Sequence, residues 1–172
     1  MLRILQKGVP TTRGAQAYEA PRAVGDLTQG RLVCEVANPS YSDHLGFTLP
    51  SGSGPIIGVV DKNHADIDHY RLRQTAVPSD SAPYGTTEIV APEVIKDGED
   101  CFVWTNGGVY HTDQISTASG TFSVGDRLTA LRTAGDDCGK LIKLADGGTG
   151  QWVGTVQGYD STSGTLKWAS VL

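Results

Sequence analysis

The chain has 172 residues, of which 38% are hydrophobic and 19% charged, enough for one ordinary hydrophobic core and too few for two. Its formal net charge of -5 comes with basic residues scattered along the chain, which argues against binding to nucleic acid, since that needs concentrated positive charge. Glycine is abundant, with 22 residues, while strong helix formers are sparse. We therefore predict an all-β protein, a small antiparallel β-barrel or β-sandwich with little or no helix.

Residues 1–23 mix glycine and proline with isolated apolar residues and have no sustained periodicity. We interpret them as an extended N-terminal arm, with a disordered tail as the alternative. Apolar side chains in such an arm are costly to expose to water, so we expect the arm to dock on a neighbouring surface. No stretch of the sequence has the apolar length of a signal peptide or a membrane span, and we expect a soluble chain that does not bind membranes.

Residues 24–172 are predicted to form a single β domain. Residues 31–37 (RLVCEVA) alternate in the manner of a strand, and residues 54–60 (GPIIGVV) are almost wholly apolar, which predicts a central strand covered on both faces. Residues 64–76 (HADIDHYRLRQTA) are ambiguous, since a short helix, a strand or a loop all fit. Residues 77–91 are rich in proline, glycine and serine and are predicted to be a loop with at most a short strand at 88–90.

The clearest predicted hairpin covers residues 101–110. Residues 101–105 (CFVWT) are followed by Asn106-Gly107, and Asn-Gly supplies the two positive-φ positions that a type I′ turn requires. The sequence then continues with Gly108-Val109-Tyr110 as the returning strand.

The last fifty residues have the most regular pattern. Short apolar runs over 127–132, 138–144, 151–159 and 165–172 are separated by glycine-rich turns, which predicts four strands in a meander.

A weak internal repeat relates the two ends of the domain. Val24-Gly25-Asp26 and Val124-Gly125-Asp126 each precede, by about thirty residues, a G-x-x-apolar-G-x-V sequence, at 54–60 and 150–156. Chance matching is one explanation, because such short patterns are common in a glycine-rich chain. The other is two similar strand units, at 24–63 and 122–172.

Residues 61–69 (DKNHADIDH) are the only cluster in the sequence that suits a metal ion. Asp61, Asn63 and Asp66 supply oxygen ligands for a hard cation, but the spacing matches neither an EF-hand nor a zinc-protease helix. A solvated loop is the interpretation we favour, and we predict no metal and no cofactor.

Cysteine and tryptophan also have structural interpretations. Cys34, Cys101 and Cys138 are odd in number and lack CxxC spacing, so we predict buried thiols and not a disulfide framework or a zinc site. The three tryptophans, at 104, 152 and 168, fall on predicted strands, so we expect core or interface anchors.

An order of motifs in the second half of the chain resembles that of the capsid decoration, or cement, proteins of tailed bacteriophages. The similarity is best over 97–172 and fainter over 24–63. It rests on Ile57-Gly58-Val59, the predicted hairpin 102–110, FSVGDRL at 122–128, GKLIK at 139–143 and WVGTVQGY at 152–159.

The resemblance implies a structural virion protein, not an enzyme. Such a protein is made in the host cytoplasm, binds the outer surface of the assembled capsid as a homotrimer and clamps neighbouring major capsid proteins. A symmetric oligomer would bury open strand edges, and the arm would add to another subunit. The candidate capsid contacts are the apolar residues of the arm: Leu2, Ile4, Leu5, Val9 and Tyr18.

Three alternatives stay open. The first is another structural phage module, such as a head-fibre base or a tail or baseplate β-domain. A small metal-dependent enzyme would use residues 61–69, and a carbohydrate-binding β-sandwich would use exposed tryptophans.

Overall fold

The computed structural model describes residues 2–6, 9–10, 22–37, 45–52, 54–62, 94–105, 107–116, 118, 120–147 and 150–172. These ranges contain fourteen strands and one helical turn of four residues, which confirms the predicted all-β class. Within the same ranges no helix has both the length and the apolar character needed to cross a membrane.

The strands are β1 (Leu2–Gln6), β2 (Val9–Pro10), β3 (Arg22–Ala23), β4 (Leu27–Thr28), β5 (Leu32–Ala37), β6 (Leu45–Thr48), β7 (Ile56–Lys62), β8 (Val94–Ile95), β9 (Cys101–Thr105), β10 (Gly108–Thr112), β11 (Arg127–Ala130), β12 (Leu141–Lys143), β13 (Gly154–Asp160) and β14 (Thr165–Ser170). The helical turn α1 (Leu144–Gly147) follows β12.

These strands form two six-stranded sheets and one small pair. Sheet I has the order β2-β9-β7-β5-β6-β3, sheet II has the order β1-β10-β14-β13-β11-β12, and β4 pairs with β8. The β3–β6 pair is parallel and the other strand pairs are antiparallel. Just after β10, Ile115 makes a parallel bridge to Leu141 in β12, so sheet II curls until its far edge meets the chain beyond β10.

Sheet I is buried on both faces. Val59 of β7 belongs to a hydrophobic cluster shared with sheet II, while the next residue, Val60, belongs to a second cluster with Leu27 of β4 and Ile95 of β8. β7 itself lies between β5 and β9. The predicted central strand is therefore confirmed, since successive side chains of a strand point to opposite faces and both faces are covered here.

The predicted hairpin at 101–110 is wrong. Both strands exist, as β9 and β10, but β9 pairs with β7 and β2 in sheet I while β10 pairs with β1 and β14 in sheet II. Gly107 and Gly108 have positive φ angles of 88° and 129°, and the Gly107 N–H donates to the carbonyl of Leu172. The glycines bend the chain as predicted, but the bend carries it from one sheet to the other.

The four C-terminal strands are confirmed, but not their order as a simple meander. β11 lies between β12 and β13, so the sheet order is β12-β11-β13-β14. β12 is consequently the outer strand of this group, where it receives the bridge from Ile115.

The two sheets have equivalent strands. β2, β3, β5, β6, β7 and β9 of sheet I match, in the same sequence order, β10, Ile115, β11, β12, β13 and β14 of sheet II. The registers match as well, because Gly58 pairs with Val33 in sheet I and Gly154 pairs with Leu128 in sheet II. β1 is an additional strand of sheet II.

The same residue positions line the inner face of each sheet. Six positions of sheet I lie in the second cluster, and their counterparts in sheet II lie in or against the first. The pairs are Ala23 and Ile115, Val33 and Leu128, Phe47 and Leu141, Val60 and Val156, Cys101 and Leu166, and Val103 and Trp168.

The match clarifies the internal repeat. The G-x-x-apolar-G-x-V sequences occupy equivalent places, but the two VGD sequences do not. Gly125 N–H donates to the carbonyl of Val156 at 2.9 Å, and in sheet I the same role belongs to Gly30, which donates to Val60 at 2.8 Å. Both glycines have positive φ, 94° and 89°.

Candidate interaction surface

Asp61, the first residue of the candidate metal cluster, is buried on β7 and does not lie in a solvated loop as expected. Its side chain, on β7, is only 2% exposed, and its carboxylate accepts hydrogen bonds from Gln29 Nε2 at 2.6 Å and Trp104 Nε1 at 3.0 Å. Lys62 is the last residue of β7, and residues 63–69 lie outside the described residues, as does the rest of the segment up to 91. In the part of the chain that the structure describes, no three His, Cys, Asp or Glu side chains are grouped to hold a metal.

The three cysteines are free and buried, as predicted. Burial raises the pKa of the Cys101 thiol to about 12, and it also raises the pKa of the Cys34 and Cys138 thiols. Because the thiolate is the reactive form, raised pKa values and burial together favour inert core thiols.

We expect the native chain to react slowly with Ellman's reagent at pH 8. Both access and thiolate formation are suppressed in the fold, so the rate for each thiol should fall at least about tenfold below that of the unfolded chain. The urea-denatured chain, with its three thiols exposed, is the control. A native thiol that reacts as fast as free cysteine would contradict the structural assignment.

A groove of about 800 Å³ lies where the two sheets meet. Two of its polar side chains, those of Arg132 and Gln151, already make hydrogen bonds. Arg132 donates to the carbonyls of Gly52 and Gly54, and the Gln151 amide both accepts from Ile56 N–H at 2.8 Å and donates to Ile56 carbonyl at 2.9 Å. These bonds tie sheet I to sheet II, so we assign the groove to the junction between the sheets.

A second set of bonds strengthens this junction. The Leu32 N–H donates to the carbonyl of Gly139 at 2.9 Å. The Arg31 guanidinium donates to Gln114 Oε1 at 3.2 Å and to the Cys138 carbonyl at 3.1 Å. The start of β5 is thus held directly against the turn that precedes β12.

Trp152 lies outside the strands, contrary to the prediction that all three tryptophans lie on strands, and its side chain is exposed. Trp104 and Trp168 are buried in β9 and β14, but Trp152 lies two residues before β13 and is 44% exposed. Its Nε1 donates to the Gly154 carbonyl at 2.8 Å, and the Arg127 guanidinium lies over its ring at 5.1 Å. The ring is therefore held in one orientation, as a rigid anchor for a partner would be.

The other exposed large apolar residues of the described chain are Val94, Val124 and Val171. Val124 is the most exposed, at 76%, on the turn before β11.

The candidate contacts of the N-terminal arm lie on paired backbone. Leu2, Ile4 and Leu5 are in β1, which pairs with β10, and Val9 is in β2, which pairs with β9. Tyr18 lies outside the described residues. The arm thus adds strands to both sheets of its own chain. A deletion that extends to Ala23, which is 1% exposed, would remove a core residue and would disturb folding.

No protein-family model, curated protein or solved structure matches this chain.

Proposed function

We propose that this chain is a structural virion protein that binds the outer surface of an assembled phage capsid and clamps neighbouring major capsid proteins. Three of the five motifs that resemble those of decoration proteins support the proposal because they come together in sheet II. Residues 122–128 lead into β11, residues 139–143 contain β12, and residues 152–159 contain all of β13 except Asp160. Of the other two motifs, Ile57-Gly58-Val59 lies in sheet I, and residues 102–110 do not form the predicted hairpin.

The observation on which the proposal depends is the immobilised, exposed indole of Trp152 beside this sheet. A large side chain that is already fixed loses little conformational entropy on binding, and tryptophan and arginine are enriched where proteins contact one another. Many copies on a shell also add their contacts through effective concentration, so no single contact needs high affinity.

The test is co-sedimentation of the purified chain with empty, expanded heads assembled from the major capsid protein of the same genome. We expect saturable binding at a fixed ratio to the capsid protein and heads that withstand a higher temperature before they break. Heads saturated beforehand with unlabelled chain are the control, and they should exclude labelled chain. If the chain pellets equally with and without heads, the proposal fails.

A further inference from the structure

The first two strands of the chain run as one ribbon along β9 and β10. Val9 of β2 pairs with Thr105 of β9, and β1 pairs with β10, in both cases antiparallel. Two residues separate β1 from β2, and two residues separate β9 from β10. We call β1 and β2 together the strap, because they cross from sheet II to sheet I beside the connection between β9 and β10.

The strap is held only along one edge of each sheet. β1 is the outer strand of sheet II and β2 is the outer strand of sheet I, so within the described chain each has a single neighbouring strand. The pairing of β1 is irregular between Ile4 and Gln6, and Pro10 has no backbone N–H to donate. Segments held by few backbone hydrogen bonds at an edge open at a lower free energy than the core strands.

The contacts that join the two sheets do not depend on the strap. Arg31, Arg132 and Gln151 make the hydrogen bonds between the sheets, and none of their partners lies in β1 or β2. β2 of sheet I matches β10 of sheet II, and among the described residues no strand lies beside β2 where β1 lies beside β10. We therefore expect the two sheets to stay joined when the strap is released.

The edge beside the strap has a pattern of alternating burial. Tyr110 and Thr112 of β10 are both 0% exposed, and each is paired with an apolar residue of the strap. His111 lies between them, is half-buried and is paired with Arg3. A strand that adds to this edge therefore needs apolar residues at alternate positions and tolerates a polar residue between them.

We propose that the edge formed by β9 and β10 is a strand-addition site, which the strap fills in the free chain and which an extended segment of another protein takes over. The strap itself identifies the chemistry of that segment, which runs antiparallel to β10 and is apolar at alternate positions. In such complexes main-chain hydrogen bonds supply affinity and the alternating side chains supply specificity. Since the strap competes from within the chain, it raises the apparent dissociation constant of the partner. The proposal does not depend on capsid binding.

Titration of the full-length chain with a fluorescein-labelled peptide of the sequence LRILQKGVP, that of residues 2–10, tests this proposal. Arg3→Pro with Ile4→Pro removes a backbone N–H that faces β10, because consecutive N–H groups of a strand point to opposite edges. We expect this double-proline chain to bind the peptide with a dissociation constant at least about tenfold below that of the wild type. Arg3→Lys with Ile4→Val is the matched control and should bind the peptide as the wild type does. A peptide with the same two prolines should bind none of the chains.

A cross-link gives a second measurement that does not weaken the strap. Arg3 and His111 are directly paired, so a disulfide formed after Arg3→Cys with His111→Cys should fasten the strap to β10. We expect the oxidised chain to bind the peptide at least about tenfold more weakly than the same chain after reduction.

Four results would overturn the proposal. The first two are a folded double-proline chain that does not bind the peptide and equal binding by the oxidised and reduced chains. A double-proline chain that fails to fold would show that the strap is an integral part of the fold and not an exchangeable strand. A disulfide that joins two chains would assign the edge to the strap of a second copy in place of another protein.

Discussion

Replacing Gly154 with alanine is expected to lower the free energy of unfolding by about 3 kcal/mol, at the upper end of the usual cost of overpacking. A Cβ at this position would overlap the carbonyl oxygen of Ala169 and would lie 2.5 Å from Cε3 of Trp168. Both atoms belong to β14, which pairs with β13 along its length, so the backbone can move away only by breaking the sheet. Urea denaturation followed by tryptophan fluorescence measures the loss.

Gly158→Ala on the same strand is the matched control. A Cβ there would meet only Lys167 Cβ at 3.9 Å, an ordinary contact. We expect a change of less than about 1 kcal/mol, since alanine also restricts the unfolded chain. If both variants lost the same amount of stability, the cause would be that β13 tolerates no alanine in place of glycine, and not the close approach of β14 to Gly154.

The equivalent glycine of sheet I should respond in the same way. At Gly58 a Cβ would overlap the carbonyl oxygen of Trp104 and would lie 2.5 Å from Cγ1 of Val103. Because Gly58 and Gly154 occupy matched positions, similar losses in the two alanine variants would support the equivalence of the sheets. A loss at Gly154 alone would limit the equivalence to backbone topology.

The strands were predictable where the pattern of side chains reports burial directly. Residues 54–60 are apolar at consecutive positions, and a strand with that pattern has to be covered on both faces, as β7 is. The cysteines were predictable for a similar reason, since a thiol without a spaced partner is most often a small core side chain.

Strand pairing was not predictable from the same pattern. Asn106-Gly107 satisfied the local requirements of a hairpin, yet both edges of β9 are occupied by β7 and β2, and β10 joins sheet II. Local sequence sets where the chain bends, whereas the choice of partner depends on contacts that are distant along the chain. β4 and β8 were missed because two-residue strands carry no periodic signal.

The exposure of Trp152 was also not predictable from the sequence. Its motif matches that of Ile56, and both precede a glycine by two residues. Ile56 is covered because sheet II lies against it, whereas Trp152 is 44% exposed among the described residues. The difference depends on contacts that are distant along the chain, which a single motif does not record.

Replacing Asp61 with alanine is expected to cost about 3 kcal/mol of stability, because removal of a buried charged acceptor leaves its donors unsatisfied. Gln29 Nε2 donates to Oδ1 of this carboxylate, and Trp104 Nε1 donates to Oδ2. Asp61→Asn keeps the shape and one acceptor but places an amide NH₂ against one of the donors, so we expect a loss of about 1–2 kcal/mol. Urea denaturation measures the free energy of unfolding of the wild type and of both variants, and we expect it to fall from the wild type to Asp61→Asn to Asp61→Ala.

The exposed aspartate Asp136 supplies the control, since its alanine variant should change stability by less than about 0.5 kcal/mol. The same variants decide between a structural and a functional role for Asp61, the residue that sequence alone offered as a metal ligand. A structural carboxylate predicts that Asp61→Ala and Asp61→Asn lose stability in that order and that wild-type melting is unaffected by a chelator. If Asp61→Ala instead melts like the wild type, the hydrogen bonds from Gln29 and Trp104 do not stabilise the fold. If a chelator lowers wild-type melting to that of the variant, the carboxylate holds a metal ion.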